Sequence, residues 1–298
     1  MRPALSVILL TTLIGAGQGL FLALVAVEVF FNAARAFYVV GAAIALALLA
    51  AGLAASFFHL GRPERAWRSA AKWRTSWLSR EVIVLPAFMA AVFAWGVAHA
   101  LGWPTLAFAA AGAVLALALY VCTAMIYACL PFLQEWHSPL TVLNYLVLGC
   151  ASGFTLAAAY SSWMAPGVAA ALAVGALCWT LLGFATRGAS LARNARLKAR
   201  SSAQSAIGVK HPRIAQKAQG AIAGSFNTRE FFHGRTASLL RSVKWGFLLA
   251  AFVLPAALLA AGWPGAAFIV QFAGLMAERW FFFAQANHPQ NLYYQAVS

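Results

Sequence analysis

Aspartate is missing from all 298 residues, and the six acidic groups present, all glutamates, stand against 21 lysines and arginines. Charge of either sign is scarce: charged residues make up 9% of the chain and apolar ones 63%, against globular averages of about 25% and roughly 45–50%. That composition excludes a soluble domain. Cysteine is also sparse, and Cys122, Cys129, Cys150 and Cys178 each lie inside or at the end of an apolar run, with no C-x-x-C pair. They cannot ligate an iron–sulfur cluster or a structural zinc, and apolar filler is the reading that suits them. No pair of histidines faces across the apolar runs, because only His59 and His99 lie near them, at opposite ends of their helices. The chain therefore offers no axial pair for a haem, and no metal site. Nucleic-acid binding is a poor account of the +15 net charge, which hugs the apolar runs without any recognition motif.

What is present is eight apolar runs, each long enough to cross a hydrocarbon core of about 30 Å with ~20 helical residues. They span about Leu5–Val27, Phe37–Phe58, Glu81–Leu101, Thr105–Cys129, Leu140–Tyr160, Gly167–Thr186, Val243–Ala261 and Pro264–Ala284. Continuous Ala/Leu-rich runs spell helices, whereas barrel strands would be segments of ~10 residues with alternating polarity. Gly15, Gly17, Gly19 and Gly153 fit close helix contacts in lipid. The first run is too long for a signal-peptide core and is followed by another span, so it is expected to stay in the protein. The predicted fold is an all-α integral membrane protein, one eight-helix bundle over 1–298, with 188–242 as a basic extramembrane connection.

Basic residues divide sharply between the two ends of this bundle. Arg62, Arg65, Arg68, Lys72, Arg74 and Arg80 lie between spans two and three, and ten more, from Arg193 to Arg241, between spans six and seven; the odd-numbered connections hold only Arg35. An even number of spans puts both termini on the basic side, and the positive-inside rule assigns that side to the cytoplasm of a bacterial inner membrane. A second cause produces the same bias, since basic connections also dock a partner protein or acidic lipid. The 188–242 segment carries little apolar material for a core of its own, and its first part, with Arg193, Arg196, Lys198 and Arg200, reads as a continuation of the sixth helix.

The richest polar stretch runs from Ser56 to Glu81, SFFHLGRPERAWRSAAKWRTSWLSRE. His59 closes the second helix and Glu81 opens the third, so in neighbouring helices the two side chains meet at the basic edge. An imidazole and a carboxylate there, ringed by Arg62, Arg65 and Arg80, suit hydrogen bonding to a quinone carbonyl and exchange of its two protons. Two structural readings stand beside that one: His59 caps a helix end, and Glu81 sits in the first turn of a helix begun by Ser79, where the dipole favours an anion. Trp67, Trp73 and Trp77 read as interfacial belt residues. Gln18 and Gln271 suit a second carbonyl or a bond to a neighbouring helix, and Glu278 with Arg279 reads as an ion pair.

Four blocks in order carry a resemblance to a known family: the Ser56–Glu81 stretch, YACLPFLQEWHSPLTVLNY from Tyr127, FNTREFFHG from Phe226, and ERWFFFAQANHPQNLYY from Glu278. The chain resembles the membrane anchor subunits of DMSO reductase-type molybdenum enzymes, distantly related to the polysulfide reductase type. The resemblance implies an eight-helix anchor for a molybdopterin catalytic subunit and an iron–sulfur subunit, exchanging electrons with membrane quinone or quinol. It implies quinol binding by a histidine ending helix two and a glutamate opening helix three, positions matched by His59 and Glu81. EWHSP then puts Glu135 and His137 on the same face, with Tyr127 near, as a far wall of the site. The basic connections, with Arg74, Arg229 and Arg235, become the dock for the iron–sulfur partner. Anchors of sulfite dehydrogenases look alike, so the direction of electron flow stays open.

The rival class is a secondary transporter, which tends to show broken helices, midplane polar groups and an internal repeat. Here the runs are interrupted only near Pro86, Pro131 and Pro255, and no repeat is visible.

Overall fold

A computed structural model describes residues 3–58, 61–198, 202–215 and 237–289. Among the described residues all regular structure is helical, and eight helices are long and apolar enough to cross a membrane. They are α1 (Leu5–Phe30), α2 (Arg35–Phe57), α3 (Trp77–Leu101), α4 (Leu106–Ala128), α5 (Pro139–Met164), α6 (Pro166–Ala195), α8 (Ala237–Ala260) and α9 (Pro264–Ala284), with a five-residue α7 (Ala203–Ile207) between α6 and α8. Helices are the outcome because hydrocarbon offers no partner to backbone N–H and C=O groups, which must then be satisfied within the segment.

Local chemistry sets the ends. Ser76 accepts from the Ser79 amide and caps α3, Ser138 caps α5 ahead of Pro139, and Gly102 ends α3 in the left-handed region at φ 73°. The start of α3 at Trp77 lies upstream of the expected Ser79, so Glu81 falls beyond the first turn and the helix-dipole reading of that residue fails. Helix α6 runs on to Ala195 and is closed by Arg196, as the basic stretch suggested. At 30 residues it is about 45 Å long, more than the hydrocarbon needs. The interruption expected near Pro255 takes the form of a wide π-type turn over Leu249–Val253 in α8, which relieves the missing N–H and the ring clash that proline imposes. Pro131 lies in the turns joining α4 to α5, and Pro86 is carried inside α3.

At the centre α1 packs on α5, and these two are the most buried spans. Their backbones touch: a Cβ built on Gly19 would overlap the Gly149 carbonyl, and one built on Gly153 would overlap the backbone of Gly19 and Leu20. Only hydrogen fits there, as expected of small residues where helices close up in lipid. Around this seam α2, α3 and α4 pack on one flank through Phe21, Phe88, Trp95 and Leu119, while α6, α8 and α9 pack on the other through Leu148, Phe252 and Leu275. The Pro63–Lys72 3₁₀ segment and the α6–α8 connection lie at the same end of the bundle, here termed the basic end.

Candidate functional site

Five helices converge at the basic end on a small chamber lined by Thr11, Thr12, Gln18, Glu81, Tyr120, Thr123, Tyr145 and Arg279 among others. Glu81 is 7% exposed, and its Oε1 accepts a 2.5 Å hydrogen bond from the Thr123 hydroxyl of α4. Gln18 donates through Nε2 to the Ala116 carbonyl at 2.8 Å, binding α1 to α4 while still lining the chamber. Tyr120 donates to the Gly15 carbonyl at 2.8 Å, and the buried Tyr145 hydroxyl finds no partner of ordinary geometry. The Arg279 guanidinium lies 3.8 Å above the Tyr145 ring, fixing both.

Behind Arg279 sits an ion set. Glu278 Oε1 meets Arg187 Nε at 2.7 Å, and its other oxygen lies 3.6 Å from Arg279 Nε. The expected Glu278–Arg279 pair is present, but the shorter contact goes to Arg187, far away in the chain. Arg187 was not foreseen, although a charge at the edge of an apolar run was its signal. Glu278 thus lies between two nearly buried guanidiniums, and its charge is what offsets their loss of hydration.

The remaining expected residues divide. His137 holds the Ala128 carbonyl through Nδ1 at 2.6 Å and lines a separate groove of about 650 Å³ between α4 and α5. Tyr127 lines neither space; it packs among Trp136, Tyr145, Phe282 and Phe283, so it supports the chamber from behind. Arg80 is engaged locally, donating to the carbonyls of Trp73 and Arg74 with its guanidinium 4.1 Å from the Trp77 ring centre. Arg62 and Arg65 are exposed, Arg65 3.9 Å from Glu64, so these two do not ring Glu81, while Arg74, expected in the dock, lies exposed over the Trp73 ring. His59, Arg229 and Arg235 fall outside the described residues. The Gln134–His137 segment is tied down by Arg193, which donates to the carbonyls of Gln134 and His137, and by the Trp136 indole on the Phe282 carbonyl. Gln271 bonds Thr180 and Ala251, the helix-to-helix alternative.

A second polar group, unforeseen in the sequence, sits at the opposite end. Glu28 accepts from Trp95 and Thr105, and His99 Nε2 lies 3.4 Å from it while the imidazole stacks on Tyr38.

The basic-end chamber measures about 20 Å³, room for about one water, whereas a cavity of about 150 Å³ is what admits a benzene ring. Its polar set, a carboxyl, a hydroxyl, a phenol and a guanidinium, suits a quinone carbonyl; the ring-sized space adjoins it on the far side of Tyr120, which lines both.

A protein-family model described as the DMSO reductase anchor subunit matches residues 1–224. A sulfite dehydrogenase subunit of Allochromatium vinosum is 56% identical over 325 aligned positions that cover all of both chains.

Proposed function

The chain belongs to the family of DMSO reductase anchor subunits, and from that premise we propose that it binds quinone at the basic end and exchanges electrons between it and an iron–sulfur partner subunit. The observation that carries this reading is Glu81, a buried carboxyl held by Thr123 in a polar chamber that shares Tyr120 with a ring-sized space. A bound quinone accepts two electrons and two protons, and leaves as quinol. The residues supply the rest: Glu81 exchanges the protons, Thr123 orients its carboxyl, and Arg279 with Tyr145 offers donors to a second oxygen. Electrons have no route through the side chains described, so the partner's cluster must lie close to the basic end, steered there by the cations of the connections.

The identity to a sulfite dehydrogenase subunit supports a complex in which a molybdopterin subunit oxidises sulfite and quinone is reduced. The positive-inside rule supports a cytoplasmic basic end in a bacterial inner membrane. Family membership removes the motive for the transporter reading.

Glu81→Gln tests the site. Quinone-coupled turnover of the whole complex should fall by ~10²-fold or more, the contribution of a positioned acid–base group, and its pH dependence should change, while turnover with a soluble dye persists. His59→Ala should act in the same direction. Equal loss with dye and quinone, or no loss with either, refutes the assignment.

A further inference from the structure

We propose that the groove between α4 and α5 is the lipid-side port of the quinone site: it holds the isoprenoid tail, and Tyr120 is the gate through which the ring reaches Glu81. The inference builds on the quinone reading above. The groove is walled by Val121 and Met125 of α4 and by Val142, Leu143 and Leu146 of α5, and it runs from His137 and Ser138 at the basic edge toward Tyr120. Ala128 and Tyr120 are about two helical turns apart on α4, so the groove climbs about 12 Å into the apolar layer. Val121 and Leu143 are 38% and 41% exposed on the outer wall of the bundle, where hydrocarbon covers them. About 650 Å³ lies within the usual ~300–1,000 Å³ range of ligand pockets, and a lining that is apolar except at its basic edge suits an isoprenoid chain, not a polar solute.

Continuity with the chamber is what assigns the occupant. Tyr120 lines both spaces and packs against bare backbone, since a Cβ on Gly149 would overlap its hydroxyl. One aromatic side chain, held by the Gly15 carbonyl and the Cys150 thiol, separates a groove that fits a ring from a chamber that holds the carboxyl. Rotation of that side chain joins the two. The small chamber behind Tyr120 and the ring-sized groove before it are then two parts of one site, and the volume mismatch has a cause.

The test compares two quinones with the same ring, one with a ten-carbon alkyl chain and one with methyl in its place, in the intact complex. Leu143→Trp and Val121→Trp fill the groove from its lipid side; Val174→Trp, at an exposed apolar position on α6, is the matched control. The KM for the long-chain quinone relative to the short-chain one should rise severalfold in the two groove variants, because the tryptophan ring takes the space in which the chain packs, and stay at the wild-type ratio in the control. An unchanged ratio in the groove variants, or an equal rise in all three, overturns the proposal. Glu81→Gln measured with both quinones separates the two readings: if it leaves turnover intact while Leu143→Trp still shifts the ratio, the proton-exchange role fails and the port stands.

Discussion

Replacing Glu278 with glutamine removes the anion that touches both Arg187 and Arg279, at 2.7 and 3.6 Å, in a group whose side chains are 1%, 2% and 6% exposed. Two buried guanidiniums are then left facing each other. Losing one partner of a buried pair costs about 3–5 kcal/mol, because the remaining charge keeps its desolvation penalty without compensation. Arg187→Met is the milder change, since Glu278 still has Arg279; a cost of about 1–3 kcal/mol is expected from the lost ion-pair partner. The double variant should cost less than the sum of the two, the mark of a coupled group. Thermal inactivation of the detergent-solubilised complex reads this out: at about 2 °C per kcal/mol for a chain of this size, Glu278→Gln should lower the midpoint by roughly 6–10 °C. A shift below about 2 °C, or Arg187→Met proving the more damaging, would refute the electrostatic reasoning.

Gly19→Ala should lower the amount of folded chain in membranes, because the new methyl meets the Gly149 backbone and no side chain can yield; an unchanged level by immunoblot would mean the α1–α5 seam can open. Neutralising Arg229 and Arg235 together should release the soluble subunits on cell lysis, more so at high salt as screening grows, and full retention in the membrane fraction counts against docking there. A cysteine at the exposed Ser205 of α7 should react with an impermeant thiol reagent only from the cytoplasm; periplasmic labelling overturns the orientation. With Glu81→Gln, these variants test fold, charge, dock, topology and site separately.

Membrane class and the number of spans were legible in the residues alone. Long uninterrupted apolar runs leave a backbone in hydrocarbon no alternative to helix, and 16 of the 21 basic residues lie in two connections. The same reading pointed to Glu81 and to Gln18, polar groups too costly to place in such runs without a partner. It could not say which partner. Lipid is as apolar as leucine, so the faces turned to lipid and to neighbouring helices look alike, and no hydrophobic stripe reports the rotation of a helix about its axis. Rotation is what decides that Glu81 meets Thr123, that Glu278 meets Arg187 before its own neighbour, and that Tyr127 turns into the aromatic cluster. Arg62 and Arg65 left the site for a related reason, because they lie at the start of the 3₁₀ segment, which holds them out in solvent. Those pairings join α3 to α4 and α6 to α9, and Tyr120 comes to lie between chamber and groove where α4 packs on α1 and α5 at the glycines of the central seam, all contacts made only when the helices are assembled.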